Sequence, residues 1–363
     1  MRARLPQIAA LLLTLGLPGW SARAHTAAAA QAAPELPRVR LVATGGTISN
    51  KDGGRLTAEE LIQLMPNVGR YTRPEFEQFS NLSSAQLTLD QWVALARRVN
   101  QIFKDDPGVA GVVVTSGTDT LEELAYFLDL TVRSAKPVVV VGSMRNPSTL
   151  GYEGAANLLE GFRVAADPVS RGRGVMVVLN DEINAAREVT KTDALRLNTF
   201  QTRGYGVLGV VDSDRVVFYR RVEKKHTADS EFDIGAVTSL PRVDVILTYQ
   251  GASGDLIKAA VDQGAKGIIL AGAGAGASSG TQSEGVAYAL EKGVFVVTTT
   301  RAGSGRIASR ARPANATPAA GPNPRERAIA GEDLAPVKAR LLLMLALTKT
   351  QSAADIQRMF IEY

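Results

Sequence analysis

The sequence predicts an α/β protein with two α/β units. The larger, N-terminal unit should hold a mainly parallel sheet that ends in a hairpin, and the smaller, C-terminal unit a parallel sheet. Runs of apolar, β-branched residues alternate with amphipathic helical patterns, which is typical of parallel sheets covered by helices. Residues 221–241 are polar and lose this periodicity, so we expect a linker there. The chain has 363 residues, a length that suits two domains.

In the N-terminal unit, residues 38–220, each expected strand is a short run rich in Val, Ile or Leu. Strands are expected at residues 38–43, 109–115, 137–141 and 175–179, and a hairpin from residues 207–211 and 216–219. Apolar residues recur at helical spacing between these runs. Helices are expected at residues 58–65, 89–103 and 120–132.

The C-terminal unit, residues 242–363, continues the alternation. Strands are expected at residues 243–248, 267–270 and 294–299, and helices at residues 254–263, 282–292, 335–347 and 353–361. Residues 308–324 are rich in Ala, Pro, Arg and Asn, and predict an irregular excursion.

The N-terminus has the pattern of a secretory signal peptide. Two arginines precede an apolar run over residues 8–17, and an A-x-A cleavage pattern ends at Ala24. An uncleaved membrane anchor is the alternative, but the run is short for a bilayer span. We expect residues 1–24 to be removed on export to the periplasm or the medium, and residues 25–37 to be a disordered leader.

The composition restricts the chemistry that the protein can perform. There are no cysteines, which excludes thiolate catalysis and disulfides, and the two histidines are His25 and His226. A histidine-rich metal site is therefore excluded, and a Ser-His-Asp triad would have to use His226. The remaining candidates for chemistry are Thr, Ser, Asp, Glu, Lys and Tyr.

The formal net charge of +5 raises the question of an acidic partner. Six arginines lie between residues 301 and 327, opposed there only by Glu326. Aromatic residues are not interleaved with them, so a solvated basic loop is favoured over a nucleic-acid site.

Two loops that follow predicted strands carry small polar residues. The first, Thr44-Gly45-Gly46-Thr47-Ile48, leaves the Thr47 hydroxyl at a strand end, although a simple turn explains it equally well. The second, residues 115–123, contains Thr118 and Asp119 at a helix start. A capping box between Thr120 and Glu123, or between Asp119 and Glu122, is an alternative that is compatible with a functional role.

Two further segments are ambiguous by themselves. Lys191 lies between two threonines and, taken alone, is typical of a surface lysine. Residues 272–277 alternate Gly and Ala after a strand, as in a dinucleotide-binding loop. The next strand ends in threonines and Arg301 instead of the acidic residue that would hold a ribose, which favours a tight strand-to-helix loop.

Residues 43–48 and 117–123 together resemble the two signature segments of the bacterial periplasmic (type II) L-asparaginase and glutaminase-asparaginase family. The resemblance continues through residues 142–145, 178–181 and 189–192, and resumes at residues 338–340. It covers nearly all of the expected mature chain. It implies large N-terminal and smaller C-terminal α/β domains, assembled as a homotetramer.

The resemblance also implies roles for individual residues. Thr47 would be the nucleophile, with Thr118, Asp119 and Lys191 as the second catalytic group. Substrate would be held by Ser84 and Asp119, next to the backbone of Gly46 and Gly117. The mechanism it implies needs no metal or organic cofactor, and involves neither nucleic acid nor a membrane.

The chain departs from the family pattern at several positions. The loop over residues 49–56 has no tyrosine, and Ala85 follows Ser84 where a Gln or Glu is usual, although Gln86 could substitute. Further departures are Tyr152 and Glu153 in place of a serine-rich loop with an aspartate, Ala275 or Ala277 in place of an asparagine that serves the neighbouring subunit, and no acid in residues 308–324.

Three functions fit these observations. The favoured one is hydrolysis of L-asparagine to L-aspartate and ammonia through an acyl-enzyme on Thr47. A glutaminase-asparaginase acts on a substrate one methylene longer, which the sequence does not distinguish. A non-catalytic periplasmic amino-acid binding protein would also be an exported two-domain α/β chain, but binding alone needs no Thr, Thr, Asp, Lys quartet.

Overall fold

The structure is a computed structural model that describes residues 35–309 and 324–363. The predicted signal peptide, most of the leader and most of the irregular segment lie outside these residues. In chain order, the elements before residue 221 are β1 (Arg38–Gly45), β2 (Asn50–Lys51), β3 (Gly54–Arg55), α1 (Ala58–Gln63), β4 (Arg73–Leu82), α2 (Leu89–Asp105), β5 (Val109–Thr115), α3 (Leu121–Thr131), β6 (Val138–Val141), α4 (Gly154–Ala166), β7 (Val175–Leu179), β8 (Glu182–Ala185), β9 (Thr190–Lys191), β10 (Phe200–Gln201), β11 (Gly209–Val211) and β12 (Val216–Phe218). The later elements are β13 (Val243–Leu247), α5 (Asp255–Asp262), β14 (Gly267–Gly272), α6 (Gln282–Glu291), β15 (Phe295–Thr300), β16 (Ala328–Ala330), α7 (Pro336–Leu347) and α8 (Ala353–Glu362).

Eight strands form the larger sheet, in the order β12-β11-β8-β7-β6-β5-β1-β4. The strands from β4 to β7 are parallel, and β8, β11 and β12 continue the sheet in antiparallel fashion. The predicted hairpin is confirmed as β11 and β12, which pair from Gly209 with Phe218 to Val211 with Val216. The parallel strands β1, β4, β5 and β6 end at one edge of this sheet, where their following loops meet.

Helices cover both faces of the larger sheet. In β5, Val112 and Val114 pack into the cluster that contains the buried residues of α2 and α3, while Val113 faces the cluster that contains Leu158 and Phe162 of α4. Burial on both faces explains why the inner parallel strands β5, β6 and β7 are nearly continuous apolar runs.

The second sheet is wholly parallel, in the order β13-β14-β15-β16. Helix α7 packs against this sheet and also against α3, so one apolar cluster runs from the larger sheet to the second. Helices α5 and α6 cover its other face. The predicted α/β class with two sheets is therefore confirmed.

Several elements were not expected from the sequence, among them β4, α4 and β8. The edge strand β4 is rich in charge, with Glu75 and Glu77 bound to arginines of β1 and α2, and so lacks the apolar run typical of a buried strand.

Helix α4 contains two glycines, which lower helix propensity. A Cβ on one of them, Gly161, would lie 2.6 Å from Val141 Cγ2, so glycine permits close packing on the sheet. Strand β8 follows a two-residue turn at Asn180 and Asp181, both at positive φ.

The polar segment of residues 221–241 contains one 3₁₀ turn (Thr227–Asp229) and otherwise neither helix nor strand. It packs closely against the helices: Ser230 Oγ donates to Leu130 O, and Arg97 donates to the carbonyl of Ile234 at 2.9 Å. In the described ranges, none of the helices has the length and apolar character needed to cross a bilayer.

Candidate active site

The ends of β1 and β5 are tied together at the edge where the parallel strands end. Thr44 donates from its backbone N to Thr115 Oγ1 at 3.1 Å and from Oγ1 to Thr115 O at 2.6 Å. Just beyond, the backbones of Gly46 and Gly117 touch, since a Cβ on Gly46 would lie 2.3 Å from Gly117 N. Thr47 and Thr118 each follow one of these glycines, so this contact brings the two loops together beside both hydroxyls.

The loop that carries Thr47 has a fixed, glycine-dependent conformation. Gly46 has φ 90° and ψ −174°, a region that is essentially closed to other residues. Its N–H donates to Leu82 O at 2.8 Å, and the Tyr152 hydroxyl donates to Ile48 O at 2.8 Å. Thr47 is half-buried at the start of the 3₁₀ turn Thr47–Ser49. The loop is thus held from two sides.

Ser84 lies directly against this pair of loops. It follows β4, is 4% exposed, and its Oγ would lie 2.7 Å from a Cβ placed on Gly117. Gln86, the suggested substitute for the missing acid or amide after Ser84, is engaged elsewhere: its Oε1 accepts from Ser83 Oγ at 3.0 Å.

Lys191 connects the other two predicted residues. Its Nζ donates to Thr118 Oγ1 at 3.0 Å and to Asp119 Oδ1 at 2.9 Å. The side chain of Lys191 is 15% exposed and that of Asp119 is 75% exposed, while Thr118 is buried. Lys191 is therefore not the surface lysine that its position alone suggested, and the carboxylate of Asp119 opens to solvent.

The capping box predicted at the start of α3 is wrong. Thr120 is the N-cap residue, but its side chain makes no capping hydrogen bond. Asp119 instead accepts from Lys191, and Glu122 Oε1 accepts from Thr190 Oγ1 at 3.0 Å and from Lys191 N at 3.1 Å. Because Thr190 and Lys191 of β9 use the Asp119 and Glu122 carboxylates, these two residues do not cap α3. The pair of Thr120 and Glu123 does not form either, since Thr120 makes no capping hydrogen bond.

The contacts made by Glu153 and Tyr152 were not predicted from the sequence. Glu153 accepts from the backbone N–H of Met144 and Arg145 and so fixes the loop after β6. These two residues lie where the resemblance led us to expect a serine-rich loop with an aspartate. Their role was not predictable because the contacts span chain separations that no local pattern encodes.

The structure also bears on two alternatives from the sequence, a catalytic triad that uses His226 and a dinucleotide-binding loop at residues 272–277. His226 is half-buried, with its Nδ1 3.0 Å from Thr227 Oγ1, so it is bound within the polar segment. The Gly-Ala run turns back on itself, with Ala273 bridged to Ala277, and α6 begins only at Gln282. This is the tight loop favoured above, without the helix start that a dinucleotide site places directly after its glycines.

The arrangement can perform proton transfer without histidine or thiol. An ammonium bound to Thr118 Oγ1 lowers the cost of negative charge on that oxygen, so the Thr118 hydroxyl can relay a proton. Thr47, in the adjoining loop, offers a second hydroxyl as a nucleophile. Helix α3 begins at Leu121, just after Asp119. The dipole of α3 favours negative charge that develops near this helix N-terminus.

Comparison with known proteins places the chain in a family. Residues 38–224 match the model described as "Asparaginase, N-terminal", and residues 242–360 the model described as "Glutaminase/Asparaginase C-terminal domain". The chain is 40% identical to L-asparaginase 2 of Bacillus subtilis (strain 168), over 93% of this chain and 90% of that protein. It is 35% identical to the probable periplasmic L-asparaginase of Haemophilus influenzae, over 91% of this chain and 94% of that protein.

A solved structure shows the same similarity in three dimensions. The crystal structure of a probable cytoplasmic L-asparaginase from Campylobacter jejuni superposes with a TM-score of 0.82 at 37% identity, covering 90% of this chain and all of that one. The two family models, the relatives and the shared fold agree, and the chain belongs to the asparaginase family of hydrolases.

Proposed function

We propose that this protein is an L-asparaginase, which hydrolyses the side-chain amide of L-asparagine to L-aspartate and ammonia with Thr47 as nucleophile. The observation that carries the proposal is the position of Lys191, which bridges Thr118 and Asp119 at 3.0 Å and 2.9 Å beside the Thr47 loop. Family membership supports the same reaction.

In the first step, Thr47 Oγ1 attacks the amide carbon of the substrate. The hydroxyl proton passes through Thr118, whose oxygen is stabilised by Lys191, and reaches the amide nitrogen as the C–N bond breaks. Ammonia leaves, and a β-aspartyl ester remains on Thr47. The carbonyl oxygen carries negative charge in between, which backbone N–H groups of the Gly46 and Gly117 loops are suited to meet.

In the second step, water attacks the ester carbon. The same Thr118 and Lys191 pair accepts a proton from the water and returns one to Thr47 Oγ1, which releases L-aspartate. The exposed carboxylate of Asp119 offers a partner for the substrate's α-amine, and Ser84, adjacent to Gly117, a donor for its α-carboxylate.

The second candidate is a glutaminase-asparaginase, with which the description of the matching C-terminal family is consistent. Glutamine is longer by one methylene, a difference worth only about 1–3 kcal/mol in an apolar pocket. The experiment is therefore ammonia release by purified protein from L-asparagine and, separately, from L-glutamine. Release mainly from asparagine supports the proposal, and equal rates support the alternative. No release from either, with asparagine still bound in calorimetry, would identify a binding protein.

We further propose export and the domain organisation that the sequence predicts. Residues 1–24 would be the cleaved signal peptide and 25–37 the leader, followed by a catalytic domain at 38–220, a linker at 221–241 and a C-terminal domain at 242–363. The periplasmic name of the Haemophilus relative supports a periplasmic location. N-terminal sequencing of the exported protein tests the cleavage point.

The homotetramer is also a proposal. The edge strand β13 exposes Val245 and Leu247, and Tyr249 follows with 48% of its surface exposed. Apolar side chains along one unpaired edge suit burial against a second copy of the chain. Sedimentation equilibrium tests this, and a monomer at micromolar concentration would contradict it.

A further inference from the structure

Strand β9, which carries Lys191, is too short to hold its own position. It consists of Thr190 and Lys191 alone, paired with the two residues of β10. A two-stranded ribbon of this size is not stable by itself. The position of the Lys191 ammonium must therefore be fixed by contacts from other elements.

Glu122 supplies the first of these contacts. Its side chain is 12% exposed, and one carboxylate oxygen accepts both from Thr190 Oγ1 at 3.0 Å and from Lys191 N at 3.1 Å. Since Glu122 lies in the first turn of α3, four residues after Thr118, the carboxylate ties the backbone of β9 to the loop that its lysine must reach.

Lys338 of α7 supplies the second contact, from the other side of the chain segment. This lysine is completely buried, and its ammonium donates to the carbonyls of Ala186, at 2.9 Å, Arg187, at 3.1 Å, and Val189. These residues lead directly into β9. An ammonium has three N–H donors, so the three carbonyls use them all.

The same ammonium lies 3.8 Å from Glu122 Oε2. That oxygen is buried and has no hydrogen-bond partner in the part of the chain that the structure describes. Lys338 and Glu122 therefore balance each other's charge without a direct hydrogen bond. Burial lowers the pKa of Lys338 to about 8, and Glu122 opposes that change. An apolar residue would fill this space at lower electrostatic cost, so packing alone does not explain the pair.

We propose that Glu122 and Lys338 are positioning residues for catalysis, which together hold β9 so that the Lys191 ammonium stays between Thr118 and Asp119. The inference rests on the proposed function of Lys191. It also assigns a role to the C-terminal part of the chain, because α7, which packs on the second sheet and on α3, contributes Lys338 to the segment that leads into β9.

The first test compares Glu122→Ala with Glu122→Gln in steady-state hydrolysis of L-asparagine. Glu122→Ala removes both hydrogen bonds to β9, and we expect kcat to fall by about 100-fold, the effect of a displacement near 1 Å, with KM changed little. Glu122→Gln retains a carbonyl oxygen that can accept both bonds, and we expect it to recover most of the lost kcat. Glu284→Gln, on an exposed glutamate in the first turn of α6, is the matched control and should have wild-type kcat.

The result that would overturn the proposal is wild-type kcat in Glu122→Ala, or an equal loss in the Glu284→Gln control. A loss confined to KM, or one that Glu122→Gln does not relieve, would also contradict it, since a positioning role predicts a kcat effect and rescue by the conservative variant.

Lys338→Met tests the other half of the pair. It leaves three carbonyls without a donor and Glu122 without a counter-charge, and it can prevent folding. The double variant Lys338→Met, Glu122→Gln removes the unbalanced charge, so it should unfold at a higher temperature than Lys338→Met while kcat stays low. A double variant with full activity would contradict the role of Lys338, and if neither variant folds, the Glu122 series decides.

A crystal structure of Glu122→Ala separates this inference from the proposed function. The positioning role predicts that Lys191 Nζ no longer lies within hydrogen-bond distance of Thr118 Oγ1, whether or not the wild type hydrolyses asparagine. An unchanged distance would overturn the inference. Wild-type protein that releases no ammonia would overturn the proposed function alone.

Discussion

Lys191 Nζ lies 3.0 Å from Thr118 Oγ1, although 73 positions separate the two residues along the chain. The lysine lies on a two-residue strand and the threonine in the loop between β5 and α3. The same ammonium also binds Asp119. One cation thus joins a buried hydroxyl to an exposed carboxylate, which is the arrangement that a histidine-free proton relay needs.

Removal of that cation should stop the chemistry and leave the fold intact. We expect Lys191→Met to lower kcat for L-asparagine by about 10²–10⁴-fold, the range for loss of acid–base assistance. Lys258→Met, on a half-buried lysine of α5, is the control and should retain wild-type activity. Ammonia release measures both, and activity retained in Lys191→Met would remove this residue from the mechanism.

Gly46 should tolerate no side chain. In Gly46→Ala the new Cβ would meet Gly117 N at 2.3 Å, and the backbone at φ 90° would add strain of about 1–3 kcal/mol. The Thr47 and Gly117 loops would be forced apart, so activity should fall together with stability. Gly53→Ala is the control, because Gly53 also has a positive φ but a Cβ placed on it would lie within 4 Å of no other heavy atom. It should therefore retain activity, and equal losses in the two variants would contradict the account.

Arg187 should be a major contributor to stability. It donates to Asp333 from Nη1 at 2.8 Å and from Nη2 at 2.7 Å, and its Nε donates to the main-chain oxygen of Tyr363 at 2.6 Å. Its presence holds the pKa of Asp333 well below the usual range, against the effect of burial. Arg187→Met removes the counter-charge of a largely buried carboxylate that keeps the Tyr205 hydroxyl as a hydrogen-bond donor, so the free energy of unfolding should fall by about 3–5 kcal/mol.

The matched control for Arg187 is Arg215→Met, because Arg215 contacts Asp214 at 4.0 Å with 74% of its side chain exposed. Urea unfolding of both variants measures the difference. A change within about 0.5 kcal/mol for Arg187→Met, as is usual for surface positions, would show that this ion pair contributes little.

Glu160 should make stability depend on pH. Burial raises the pKa of its carboxyl to about 8, and the neighbouring Asp181 acts in the same direction. In the unfolded chain, the side chain of a glutamate has a pKa of about 4.3. Between these values the folded protein retains a proton that the unfolded chain releases, so stability falls as pH rises through this window.

Glu160→Gln cannot ionise and still offers an oxygen to the Asp181 N–H. Its melting temperature relative to the wild type should therefore increase from about pH 5 to about pH 9. Glu59→Gln, on the exposed first turn of α1, should show no such trend. A difference that is independent of pH would mean that Glu160 ionises normally.

Buried strands and amphipathic helices were predictable because burial on both faces, or on one helical face, leaves a periodic pattern in the sequence. Most predicted elements differ from the observed ones by one or two residues at their ends. Strand β4 and helix α4 were missed for the opposite reason. The first is a charged edge strand, and the second contains glycines that tertiary packing requires, such as Gly161 against Val141.

The candidate site residues were indicated by resemblance, and their geometry was not predictable. Position alone suggested a surface lysine for Lys191 and a helix cap for Glu122. Both interpretations fail because each side chain binds a distant segment. Lys191 donates to Thr118 in the loop before α3, and Glu122 accepts from the backbone of β9. Local pattern cannot encode such contacts, which arise when the sheet brings strand ends together.

The role of Thr47 is the central claim, and ammonia release from L-asparagine by Thr47→Ala tests it most directly, with circular dichroism and thermal unfolding as the check on the fold. Loss of the nucleophile should lower kcat by at least about 10³-fold while the melting temperature stays near that of the wild type. A well-folded Thr47→Ala protein that releases ammonia at near the wild-type rate would contradict the account.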